Sequence, residues 1–202
     1  MADEIREPKQ ERAIKTKERI MQAAIFLFSE QGYHNTNSKE IAKKAETAIG
    51  SFYSYFKDKK TLLLEILDNQ IKKTLSRVKI ELKEILKKNI DNKVKIKELL
   101  QSVFDAHDFL TDFHREIVAL KYIDDEIRKV RLQEEEKSVE LIFYLLKTYT
   151  KGLRVKDLSV ASRIIYIAIE ESVHSVKILK TGLTQEDVIP ELTDMIYKYL
   201  YT

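Results

Sequence analysis

The chain reads as an all-α protein of about nine helices, and three observations carry that reading. Its 202 residues include only four Gly and two Pro, so helix breakers are scarce. Lys, Glu, Leu and Ile, which helices accommodate well, are abundant, and 34% of residues are charged. Apolar residues recur at three- and four-residue spacing, the period of a helix with one buried face. The length suffices for one or two domains with a sizeable core. With no cysteine, disulfides and thiolate metal sites are excluded.

Residues 1–10 read as a charged leader or arm. A first helix is expected over 11–30, with Ile20, Ala23, Ala24, Leu27 and Phe28 on its apolar side and Gly32 placed to end it. Residues 36–60 follow, TNSKEIAKKAETAIGSFYSYFKDKK. Thr36, Asn37 and Ser38 are all N-cap types, and Asn37 and Glu40 have capping-box spacing. Ile41, Ala42 and Ala45 share a face, Glu46-Thr47 interrupts, and helical character resumes at Ala48 or Ile49. Two short helices joined by a tight turn form a helix-turn-helix pattern, whose second helix enters the DNA major groove. Phe52 and Phe56, four apart, are assigned to a small core against Ile41 and Leu27, which leaves Tyr53 on a different face.

A long helix is expected over 58–88, with Leu63, Leu67, Ile71, Leu75, Val78, Leu82 and Ile85 as its stripe. A loop follows at 89–92. Further helices are expected over 93–110, 112–122, 125–149, 157–180 and 184–201, with Gly152 and Gly182 as stops. Thr184 and Asp187 again have capping-box spacing. The helix over 157–180 is apolar on two faces and so must be buried on two sides. A two-fold dimer packing the last two helices against their copies would bury the surplus, through Ile164, Ile167, Glu171, His174, Ile178, Val188, Leu192, Met195 and Tyr199.

Residues 1–60 hold 12 Lys and Arg against 9 Asp and Glu, while the other 142 residues hold 24 of each. All the positive excess lies around the helix-turn-helix, where phosphates would be met.

The 36–60 segment resembles the DNA-binding part of TetR-family transcriptional regulators. Thr36, Ile41, Ala42, Ala45, Gly50, Tyr53, Tyr55, Phe56, Lys57 and Lys59 match that family's pattern in order. The turn departs from it, with Glu46 in place of Gly and Thr47 and Ala48 in place of Val and Ser. A positive φ at position 46 would cost Glu energy that Gly avoids. The resemblance implies an N-terminal three-helix DNA-binding domain, 1–57, and a C-terminal helical domain, 58–202, that dimerises and holds an effector. It implies DNA contacts at Thr36, Asn37, Ile49, Gly50, Ser51, Tyr53, Ser54, Tyr55, Lys57 and Lys59. Gly50 would admit close approach of the duplex, Ile49 would meet a thymine methyl, and Tyr53, Lys57 and Lys59 would suit phosphates. Thr36 and the start of the helix after it would offer a hydroxyl and N–H groups to another phosphate.

Phe104, His107, Tyr144, Lys147, Tyr166 and Glu170 are expected to line an effector pocket between bundle helices. Glu171 and His174 have the Glu-x-x-His spacing of carboxylate di-metal bundles, but no second such motif accompanies them, so no metal is expected. No phosphate loop, Gly-x-Ser-x-Gly or His-Glu-x-x-His occurs, so no catalytic residue, enzyme activity or cofactor is expected. No signal peptide is visible, and the longest apolar runs, 141–146 and 164–169, are too short to cross a bilayer. The expectation is a cytoplasmic, homodimeric regulator, with no membrane partner, that binds a double-stranded palindromic operator and is released by a small hydrophobic effector. The alternative is a ligand-independent DNA-binding or helical interaction protein on the same scaffold. A filled interior between the helices over 93–110, 125–149 and 157–180 would favour that alternative.

Overall fold

Among the described residues ten helical segments occur: α1 (Arg6–Gln31), α2 (Ser38–Lys44), α3 (Ile49–Tyr55), α4 (Lys59–Lys87), α5 (Asn92–Ala106), α6 (Thr111–Leu120), α7 (Asp125–Tyr149), α8 (Leu158–Val173), a π-helical turn (His174–Ile178) and α9 (Gln185–Tyr201). They come from a computed structural model that describes residues 6–107, 111–179 and 181–202, and no strand occurs among those residues.

Most helix ends follow from local chemistry. Asn37 accepts from the N–H groups of Lys39 and Glu40 while Glu40 accepts from the N–H of Asn37, a closed capping box. Thr184 and Asp187 repeat that box at α9. Asp91, Asp124 and Asp157 cap α5, α7 and α8 through their side chains. Gly32, at φ 84°, ends α1 with its N–H on the carbonyl of Phe28.

Three boundaries differ from the sequence expectation. α1 begins at Arg6, so residues 6–10 are already helical rather than an arm, and residues 1–5 lie outside the described residues. α5 stops at Ala106; the expected extension to 110 runs into residues 108–110, also outside the described set. The helix expected over 157–180 changes at His174 into a π-turn, closed by the N–H of Leu179 on the carbonyl of His174. Val173, His174 and Ile178 are all buried along this turn.

The chain divides into two compact units, Met1–Gln70 with Asp112–Leu120, and Ile71–Thr111 with Lys121–Thr202. α4 therefore contributes residues to both, and α6 from Asp112 onward belongs to the first. In the first unit α1 packs on α2 and α2 on α3. Ile20, Phe28, Ile41, Phe52, Phe56 and Leu63 are fully buried there. Ile25 of α1 is buried as well, although the sequence stripe passes it by, and Leu27 is half-buried. Rings tie the pieces together: Phe28 lies 5.3 Å from Tyr33 and stacks at 6.5 Å on Phe113 of α6, and Phe52 meets Phe56 at 5.9 Å.

In the second unit α7 packs on α8, and α5 and α8 pack on α9. Leu100 and Phe104 of α5, Leu146 of α7, Ile165 and Val173 of α8, and Leu192 and Ile196 of α9 share one core. Among the described residues no helix is long and apolar enough to cross a membrane.

Candidate nucleic-acid interface and effector cavity

The turn between α2 and α3 fixes how α3 is presented. The N–H of Thr47 reaches the carbonyl of Ala42, and the N–H of Glu46 reaches that of Lys43. This paired pattern is the Schellman motif, which needs a left-handed residue after the helix cap. Glu46 supplies it at φ 51°, the one non-Gly residue with positive φ among those described. α3 starts at once after Ala48 and is anchored from beneath by Phe52 and Phe56.

With those two rings inward, the opposite side of α3 faces out. Ile49 is 38% and Tyr53 56% exposed. Gly50, Ser54 and Lys57 are exposed beside them, while Ser51 and Tyr55 are half-buried. The Ser54 hydroxyl donates to the carbonyl of Ser51. At Gly50 φ is not positive, and an added Cβ would meet nothing within 4 Å. Nothing inside the chain therefore demands glycine at this exposed helical position, where alanine is the better helix former.

Three of the residues expected at DNA are instead engaged within the chain. Thr36 is buried, and its hydroxyl donates to the carbonyl of Gly32 at 2.9 Å. The Asn37 side chain is taken up by the capping box. The Lys59 ammonium donates to the carbonyls of Tyr33 (2.6 Å), Thr36 (2.7 Å) and His34 (3.4 Å) and lies 4.3 Å over the Tyr33 ring. Burial lowers its pKa from the ordinary value. Lys59 thus pins the α1–α2 link onto the start of α4, and the N–H of Tyr33 is held in turn by Glu116 at 2.6 Å. Sequence spacing gives no signal for this clamp, because its acceptors are backbone carbonyls 23 to 26 residues away.

The second unit encloses a cavity of about 200 Å³ among α4, α5, α7, α8 and α9. Its walls are mostly Leu, Ile and Val, and its polar groups include His107, Glu134, Tyr166 and Glu170. Arg131 pairs with Glu134 and with Glu170, the latter at 2.9 Å, and His174 lies 3.1 Å from Glu170. Burial works against the charge of Glu170, but the hydrogen bond from His174 and the Arg131 guanidinium hold its carboxyl well below the usual range. Burial pushes Glu134 the other way, above its ordinary value, and raises the Tyr166 phenol.

Of the six residues expected at a pocket, His107, Tyr166 and Glu170 are brought together on this wall. Phe104 is fully buried in the core instead, and Tyr144 and Lys147 sit on the exposed side of α7. The reason is helical phase: the α7 residues lining the cavity include Glu134, Ser138, Leu141, Leu145 and Tyr149. The sequence reading does not single out Tyr149 or the aliphatic walls, although that four-residue spacing is visible in the sequence.

Of the residues expected at a dimer interface, Ile164, Ile167 and Met195 are about half exposed apolar side chains, joined by Val160. Glu171 is exposed, and Val188 and Tyr199 are half-buried. His174, Ile178 and Leu192 are buried within the chain and present no surface to a partner.

Residues 20–66 match the family described as bacterial regulatory proteins, tetR family. Among similar proteins, the uncharacterized HTH-type transcriptional regulator YvdT of Bacillus subtilis is 33% identical over 105 residues, covering 52% of this chain and 50% of YvdT. The fatty acid metabolism regulator protein of the same organism is 27% identical over 164 residues, covering 76% of this chain and 79% of that protein. The chain thus spans about half of YvdT and more of the second relative. A crystal structure of a TetR-family regulator from Mesorhizobium loti superposes with TM-score 0.73 over 95% of this chain and 99% of that one, at 16% identity, a likeness of fold.

Proposed function

From the premise that this chain belongs to the TetR family of bacterial regulatory proteins, we propose that it is a DNA-binding transcriptional regulator, a repressor that binds a palindromic operator as a homodimer and is released by a small hydrophobic effector. Residues 1–57 carry the DNA contacts, and residues 58–202 dimerise and hold the effector. One observation carries the reading. α3 turns Ile49, Gly50, Tyr53, Ser54 and Lys57 outward from a helix anchored by Phe52 and Phe56, and glycine at 50 has no purpose inside the chain. A duplex lying against α3 supplies that purpose.

The roles divide by chemistry. Ile49 has no hydrogen-bonding group and meets a thymine methyl. The hydroxyls of Tyr53, Ser51 and Tyr55 and the ammonium of Lys57 donate to phosphates, which sets position rather than sequence preference, while Ser54, whose hydrogen is on the Ser51 carbonyl, lies beside them. Thr36, Asn37 and Lys59 act one step back, by fixing the loop and the α2 cap next to the duplex. A dimer brings two copies of α3 to successive major grooves. Val160, Ile164, Ile167 and Met195 supply apolar surface for it. The cavity supports an effector-controlled protein over a ligand-independent one. An effector releases DNA only by as much as it prefers the non-binding state of the dimer.

Footprinting the purified protein across genomic DNA tests the proposal. Protected sites should be inverted repeats whose half-site centres lie roughly one helical turn, about 10 base pairs, or a multiple of it apart. Protection with no dyad, or none at all, would overturn the homodimeric operator-binding reading.

A further inference from the structure

The α4–α7 face of the second unit carries a groove of about 430 Å³ that the function proposed above does not use. Leu82, Leu86, Leu141, Leu145 and Tyr149 line both this groove and the apolar cavity, so one wall serves the two. Outside that wall the groove is basic. Lys79 and Lys83 stand one turn apart on α4, and Lys137 lies across from them on α7. Glu140 is the single carboxylate on the lining. All three lysines are exposed, and among the described residues none of them forms an ion pair. At the shared edge the ring of Tyr149 meets that of Tyr144 edge-on at 6.0 Å.

The Glu134 and Glu170 side of the cavity has the opposite character. There the lining carries Glu134 and Glu170, and Arg131, which does not itself line the cavity, is already engaged by both. A second anion on that side would lose its water and meet acids rather than free cations. Along α7 the cavity lining runs from Glu134 to Tyr149, about 22 Å at ~1.5 Å per residue, and the groove lies beside this run, from Lys137 to Tyr149. About 200 Å³ drawn out over such a length suits one flexible chain better than a flat ring system.

We propose that the α4–α7 groove is the head-group subsite of this cavity, and that the protein binds an amphiphile whose single apolar chain enters the cavity while its anionic head, a carboxylate or phosphate, rests on Lys79, Lys83 and Lys137. The inference rests on reading the cavity as the effector site and adds the charge of the ligand and the side it enters from. The lysines also set the expected strength. Exposed charge pairs contribute modestly and are screened by salt, so three together give an advantage of about tenfold, which shrinks as salt is raised.

Calorimetric titration of the intact protein with four probes of equal chain length, each below its micelle concentration, tests this: dodecanoate, dodecyl phosphate, dodecanol and dodecylamine. Both anions should bind about tenfold more tightly than the alcohol and the amine. A phosphate that exceeds the carboxylate would assign the head as a dianion, and equal binding a monoanion. The triple variant Lys79→Gln, Lys83→Gln, Lys137→Gln should lose the anion advantage and keep its affinity for dodecanol. Leu145→Trp, which fills the shared wall, should lose all four probes. Anions that bind no better than dodecanol, an amine that binds best, or an advantage that survives the triple variant would overturn the head-group subsite and leave the cavity as an apolar effector site. A triple variant that turns from dimer to monomer in ultracentrifugation would make the groove an interface between copies, and would likewise overturn it. If no probe binds the unmodified protein, the reading of the cavity as a site for a hydrophobic effector fails first.

Discussion

The two units place their polar groups in opposite ways. In the first, large side chains such as Ile20, Phe28, Phe52 and Phe56 are fully buried, and Lys59 closes a loop with its ammonium on three carbonyls. The functional side chains stand outside. In the second, a cavity remains among five helices, and Glu134 and Glu170 in its wall are both paired with Arg131. A surface that must fit a duplex needs a backbone that does not give way, which dense packing provides. A site that must accept a small molecule needs room and tolerates less complete packing. The difference teaches where substitutions should cost stability and where they should alter binding.

Phe52→Ala is the strongest test of the buried core of the first unit. It should lower stability by ~3–5 kcal/mol, read as a shift in the urea midpoint. A cost below ~1 kcal/mol would mean that α3 is not anchored by its rings.

Glu170→Gln tests the charged wall of the second unit. Removing one partner of a buried pair should cost ~3 kcal/mol near neutral pH. The folded-state pKa of Glu170 lies below its ordinary value of 4.5, so its contribution is present above that value and is lost as pH falls toward the folded pKa. Thermal melts of the parent protein should therefore drop on acidification below about pH 4.5, and the variant should lack that part of the drop. Equal acid sensitivity in both would remove Glu170 from the account.

Glu46→Gly relieves a left-handed residue and should raise stability by up to ~1 kcal/mol, with unchanged DNA binding. A loss of stability would mean that the Glu46 side chain makes a contact worth more than the strain.

Gly50→Ala has the smallest expected effect on folding and divides the two roles most cleanly. It should stabilise by ~0.5 kcal/mol, since the new methyl meets open space, while weakening DNA binding. Thermal melts and duplex titrations on one preparation give both numbers, and a variant that melts higher and binds DNA as before would contradict the role assigned to Gly50.

Which parts of this are legible in the sequence depends on how local the cause is. The capping boxes at Asn37–Glu40 and Thr184–Asp187 are complete within four residues, and both form. The bounds of α7, set by Asp124 before it and the Gly152 segment after it, follow from local signals too. The helix-turn-helix is short enough that spacing alone places Phe52 and Phe56 inward. The π-turn at His174 is not legible, because the spacing of Val173, His174 and Ile178 fits an ordinary helix equally well. The Lys59 clamp joins elements more than twenty residues apart, and no period in the sequence announces it. The cavity is a gap left by side chains from five helices, so spacing assigns single residues such as Phe104 and Lys147 to it wrongly even where it finds the helices that bear them.

The claim that the outer face of α3 is the DNA-binding surface is tested most directly by the salt dependence of affinity for a footprinted duplex, followed by fluorescence anisotropy in the parent protein and in Tyr53→Phe/Lys57→Ala. Both substituted side chains are exposed and outside the core, so the fold should be unchanged. The account predicts weaker binding to all sequences and a slope of log affinity against log salt that is shallower by about one for each phosphate that Lys57 no longer neutralises. An unchanged affinity and an unchanged slope would contradict it.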